Sequence, residues 1–120
     1  MADDCEQLEP GRAAFNRGEY FLAHELWEEV WREVDDAERR LYVQGLIQIA
    51  AGLHHLQQHR PAPAAGLLRK GLEKVSRRRK GSSGGLPIDL LAGRMERLLV
   101  ELDATKAEVT AVPDLSQIKL

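Results

Sequence analysis

The stretch Tyr20-Phe21-Leu22-Ala23-His24-Glu25-Leu26-Trp27-Glu28-Glu29-Val30-Trp31 decides the fold. At 100° per residue, Tyr20, Ala23, Trp27, Val30, Trp31 and then Val34 fall on one face, while Glu25, Glu29 and Glu33 fall on the other. The spacing predicts an amphipathic helix from about Tyr20 to Val34 that buries its aromatic side. Its surroundings, Phe15 to His55, hold both tryptophans, both phenylalanines, both tyrosines and three of the four histidines of the chain. Core and candidate chemistry therefore come from the same stretch.

Apolar spacing remains helical on either side of it, and no convincing strand is present. A first short helix is predicted from about Pro10, a good first-turn residue, to Arg17, with Gly18 as its left-handed cap. After the aromatic helix, Asp35 can cap a third one, with Glu38 completing a capping box. This helix should run to about His59, before Pro61. Leu41, Tyr42, Leu46, Ile49, Leu53 and Leu56 line one side of it, and Val43, Ile47 and Ala50 another, so it needs neighbours on several sides. Gly45 and Gly52 share a face where another helix can come close.

Pro61 opens a fourth helix with the stripe Ala64, Leu67, Leu68, Gly71, Leu72 and Val75, ending in the basic run Arg77 to Lys80. Residues 81–87 read as a glycine-serine linker. A fifth helix, about 88–110, buries Ile88, Leu91, Ala92, Met95, Leu98, Leu99 and Leu102, and closes before Pro113. Leu115, Ile118 and Leu120 are spaced to tuck against the bundle. The fold class is all-α: one domain, a compact antiparallel bundle of four to five helices. Phe15-Asn16-x-Gly18-x-Tyr20-x-x-Ala23 has the form of a tetratricopeptide-like helix pair, but the 34-residue period of an array is not sustained.

The totals exclude several classes. With 120 residues, 43% hydrophobic and 30% charged, the chain can bury a core. A net charge of -2 and the absence of interleaved aromatics and basic stretches argue against a nucleic-acid partner. Arg77 to Lys80 complements the negative end of its own helix. Cys5 is alone, so neither an internal disulfide nor a cysteine-based zinc site can form. The acidic start is unlike a signal peptide, and no apolar run nears the roughly 20 residues that span a bilayer. A soluble, cytoplasmic protein without a membrane role is expected.

His24 and Glu28 stand four apart beside Trp31, at the edge of the buried stripe. That spacing suits two metal ligands or an acid–base pair; it equally suits a carboxylate that merely orients a half-buried imidazole, and this second reading is favoured. His24-Glu25-x-x-Glu28 imitates the helical metalloprotease motif, but Glu28 occupies the position of the second histidine. A looser divalent-metal site of His24, Glu28 and His54 requires the second and third helices to pack antiparallel. On the third helix Gln44, Gln48 and His55 share the glycine face, as a polar seam or the wall of a cleft, while His54 points with Val43, Ile47 and Ala50. A structural network is favoured over a ligand site. No phosphate-binding glycine loop, nucleophile elbow or aspartate pair is present.

Phe15-Asn16-x-Gly18-Glu19-Tyr20-Phe21-x-Ala23-His24-Glu25-x-x-Glu28-x-x-Trp31, with Gln44-Gly45-Leu46-Ile47-Gln48-x-Ala50 and His54, resembles the family called domain of unknown function 309. The match covers roughly residues 12 to 75. The resemblance implies a small, all-helical, cytoplasmic protein and no particular activity. It also implies that His24, Glu28, Trp31, Gln48 and His54 belong together. The expectation is a non-enzymatic binding or interaction module for a protein or small ligand, with a polar cluster of His24, Glu28, Trp31, Gln44, Gln48 and His54. The alternative is a metal-assisted hydrolase or acid–base enzyme using His24, Glu28 and His54. A homodimer formed through the Gly45/Gly52 face is a third.

Overall fold

The computed structural model describes residues 4–77, 87–105, 115 and 118–120. Five helices follow in order: α1 (Asp4–Asn16), α2 (Tyr20–Glu33), α3 (Ala37–Gln57), α4 (Pro61–Ser76) and α5 (Ile88–Thr105). The expected linker up to residue 86, the end of the basic run and the last residues of the fifth helix lie outside the described residues. Each helix packs chiefly on its neighbours in sequence, α3 against both α2 and α4. The Cα radius of gyration, 13.7 Å, is close to the roughly 13.6 Å expected of a compact domain this long.

The helix ends explain the geometry. Gly18, at φ 81°, closes α1: its own N–H donates to Phe15 O at 3.0 Å and the Glu19 N–H donates to Ala14 O at 2.9 Å. This paired pattern reverses the chain within three residues and lays α2 back on α1. The same pattern ends α3 at Gln57, two residues short of expectation. There His59, a non-glycine at φ 60°, takes the left-handed position, donating to Leu56 O while the Arg60 N–H donates to His55 O. The cap of α3 is Asp36 rather than Asp35, its carboxylate accepting from the Arg39 N–H at 2.9 Å. Val34 and the capping residue Asp36 are both extended.

The first helix begins six residues earlier than expected, with Pro10 inside it. A proline interrupts the hydrogen bond to the residue four before it, here Glu6, which is exposed and can be served by water. The longer helix brings in Leu8, buried, whose carbonyl accepts from Trp27 Nε1 at 3.1 Å. Trp27 is itself fully buried and lies so close over α1 that a Cβ on Gly11 would sit 2.2 Å from Nε1. Phe15 completes the aromatic centre, edge-on to Tyr20 at 5.1 Å and 5.7 Å from Trp27.

Between α3 and α4 the backbones meet. A Cβ on Gly71 would lie 2.6 Å from Gly45 O, and one on Gly52 would lie 2.8 Å from Leu68 Cγ. The close approach anticipated at Gly45 and Gly52 is therefore made by α4 of the same chain. Gly45 and Gly52 are packed from within the chain. The α5 stripe Ile88, Leu91, Ala92, Met95, Leu98, Leu99 and Leu102 is buried throughout, and Arg69 pairs with Asp103 between α4 and α5. Ile118 and Leu120 join the core, with Leu115 partly buried against it.

Candidate functional site

Antiparallel packing of α2 and α3 sets the start of α2 beside the end of α3, pinned where Gln57 Nε2 donates to Gly18 O at 2.9 Å. His24, one turn into α2, directs Nε2 at Glu28 Oε1 across 3.3 Å. The second ring nitrogen of His24 is Nδ1. That Nδ1 is buried with no hydrogen-bond partner. Phe21 stacks on the His24 ring, centroids 5.7 Å apart and planes 19° apart, and its other neighbour is the His54 ring at 5.2 Å. The Phe21 ring thus contacts both histidines. It is 52% exposed.

The six residues expected to form one cluster are divided among three places. His24, Glu28 and His54 lie on the α2–α3 side around Phe21. Gln48 faces α4 instead, where its Oε1 accepts from Lys74 Nζ at 2.9 Å. Gln44 is half-buried, one turn before Gln48 and next to Gly45, which also meets α4 at Lys74. Trp31 is covered by Arg40, whose guanidinium carbon lies 3.9 Å from the ring centroid. Because α4 occupies the glutamine face of α3, α2 meets only the face of Val43, Ile47, Ala50 and His54. His55 stays half-buried, with Nδ1 unpartnered.

Among the described residues, no group of three or more His, Cys, Asp or Glu is placed to hold a metal ion. Among the described residues, His24, Glu28 and His54 are therefore not brought to one point, and Phe21 packs on both histidine rings. A catalytic metal needs three protein ligands and an open position, and the geometry supplies a single His–Glu pair.

Arg40 is the participant that sequence reasoning missed. Besides stacking on Trp31, it donates from Nη1 to Trp31 O at 3.1 Å and to Val34 O at 3.0 Å, so a cation closes the carbonyl end of α2. A basic residue in the first turn of the helix that follows a tryptophan-bearing one was the available signal. A second missed feature is a groove of about 550 Å³ beside the α2–α3 turn, with Val30 and Val34 in its wall and Glu29, Glu33, Asp35 and Asp36 among its lining residues.

These observations define an all-helical protein of neighbour-on-neighbour packing, carrying a half-exposed aromatic–histidine face. The family described as "Domain of unknown function (DUF309)" matches residues 8–67, half the chain, and the chain belongs to that family. It is similar to an "Uncharacterized protein" of Aquifex aeolicus (strain VF5), 32% identical over 72 residues, covering 60% of this chain and 22% of that protein. It is also similar to the "Uncharacterized protein YpuF" of Bacillus subtilis (strain 168), 25% identical over 103 residues, covering 85% of this chain and 59% of that one. The chain thus spans less than two thirds of either relative's length. No solved structure matches it significantly. Among the described residues, no helix is long and apolar enough to cross a membrane.

Proposed function

We propose that the chain is a non-enzymatic interaction module whose contact face is the start of α2 against the end of α3. One observation carries this reading: Phe21 packs on two histidine rings, at 5.7 and 5.2 Å, while half its surface faces water. An aromatic side chain fixed in this way loses little entropy when a partner covers it, which is the character of an interface anchor. Glu25 and Glu28 follow Phe21 on the same stripe of α2. The face therefore suits a protein segment with an apolar side chain for Phe21 flanked by basic groups. His24 and His54 act as walls that hold the ring, and the His24–Glu28 pair fixes one of them.

The test is photocrosslinking in cells, with p-benzoylphenylalanine at position 21 and, as control, at the exposed Val100 on α5. A discrete adduct from position 21 that is absent from position 100, and is abolished by Glu25→Lys with Glu28→Lys, is the expected result. The same weak pattern from both positions would reject the reading.

A further inference from the structure

Asn16, the last residue of α1, holds main chain from the far end of the sequence. Its Nδ2 donates to Leu120 O at 2.7 Å and its Oδ1 accepts from the Leu120 N–H at 2.7 Å. Both faces of one amide therefore read both polar groups of one residue's backbone. Arg12, one turn earlier, donates from Nε to the same oxygen at 2.7 Å, and Lys119 Nζ returns a hydrogen bond to Asn16 O at 2.6 Å. Ile118 and Leu120 are 6% and 4% exposed, while Lys119 is exposed. The segment is thus an aliphatic–cation–aliphatic triplet, with alternate side chains down and its backbone clamped.

We infer that the Arg12–Asn16 turn of α1 is a peptide-binding site, filled in cis by residues 118–120, whose ligand in trans is a partner's segment of the same aliphatic–cation–aliphatic pattern. Two features favour exchange over a fixed closure. First, recognition at Leu120 passes through main-chain atoms and aliphatic burial, so a different segment of that pattern satisfies it equally. Second, the family match takes in Arg12 and Asn16 but ends at residue 67, far before the occupant. The receptor lies within the family's shared part and the occupant outside it. Residues 118–120 can detach by local opening without unfolding the bundle.

The experiment uses the full chain and a fluorescent peptide of residues 115–120. Ile118→Asp with Leu120→Asp empties the site in cis. This released chain is expected to bind the peptide saturably, and wild type at least tenfold more weakly. Asn16→Ala in the released chain removes two hydrogen bonds and should weaken binding by about tenfold or more. A peptide carrying the two aspartates should not bind. Absence of saturable binding to a released chain that still melts cooperatively overturns the inference, as does binding indifferent to Asn16→Ala. Loss of the cooperative melt on release would make the segment a structural closure and overturns it too. Hydrogen exchange on unaltered wild type gives an independent reading: the Leu120 amide should exchange through local opening, well before the Trp27 amide. Exchange of both at one common rate sinks the proposal.

Discussion

Tyr20 shows how one buried side chain sets a pH limit. It is 2% exposed, and burial pushes its phenol up from 10.0 to about 12, because the phenolate would lose its hydration. With the folded value above the unfolded one, the stabilising contribution is whole below pH 10 and is lost as pH rises from 10 to about 12. Two units correspond to about 3 kcal/mol. Urea melts across that range should therefore fall more steeply for wild type than for Tyr20→Phe, and parallel curves would contradict the assignment. Gly11 sets a steric limit instead. Alanine would gain about 1 kcal/mol of helix propensity, but its methyl would overlap the Trp27 indole at 2.2 Å. Relieving that overlap means parting α1 from α2, at about 3 kcal/mol or more. Gly11→Ala should therefore lower stability by about 2 kcal/mol, measured as the shift in urea midpoint at constant slope.

At the scale of elements, what was legible in the sequence depended on whether a signal was local. The α5 stripe is buried residue for residue, because a 3.6-residue period carries the information by itself. Gly18 was legible for the same reason: a left-handed turn after a helix leaves few alternatives. The start of α1 was not, since Pro10 reads as an opening residue, and only the tertiary bond from Trp27 to Leu8 shows why the helix continues past it. The candidate site was half legible. The His24–Glu28 contact follows from four-residue spacing, whereas the assignment of Gln48 to the same cluster failed. Gln48 and His54 are six residues apart on α3, about 120° around the helix, and α4 took the glutamine side. His59 yields a test at this scale. It occupies the left-handed end of α3 without being glycine, a conformation that costs an L-residue roughly 1–2 kcal/mol. His59→Gly should raise stability by about 0.5–1 kcal/mol, the remainder being offset by greater freedom of the unfolded chain. A lower melting temperature would refute this account of the cap.

At the scale of the molecule, the described residues offer no three-ligand site for a divalent metal. Any ion bound at 100 times its dissociation constant would add about 2.7 kcal/mol, a rise of roughly 10 °C in a domain of this size. Thermal melts with zinc, manganese or iron(II) should stay superimposed on the metal-free curve, because no three ligands converge among the described residues. The packing of each helix on its sequence neighbours makes most contacts short in sequence, which favours rapid folding. The contacts from Arg12 and Asn16 to Leu120 reach much further, spanning 108 and 104 positions.

The two indoles, four positions apart, have opposite surroundings. Trp27 is sealed from water with its N–H engaged, while Trp31 is half-covered beneath a guanidinium. Their emission should accordingly divide into a blue component that acrylamide cannot reach and a redder one that it quenches, so that separation of α1 from α2 becomes visible as a colour change in the native fluorescence, without any added label.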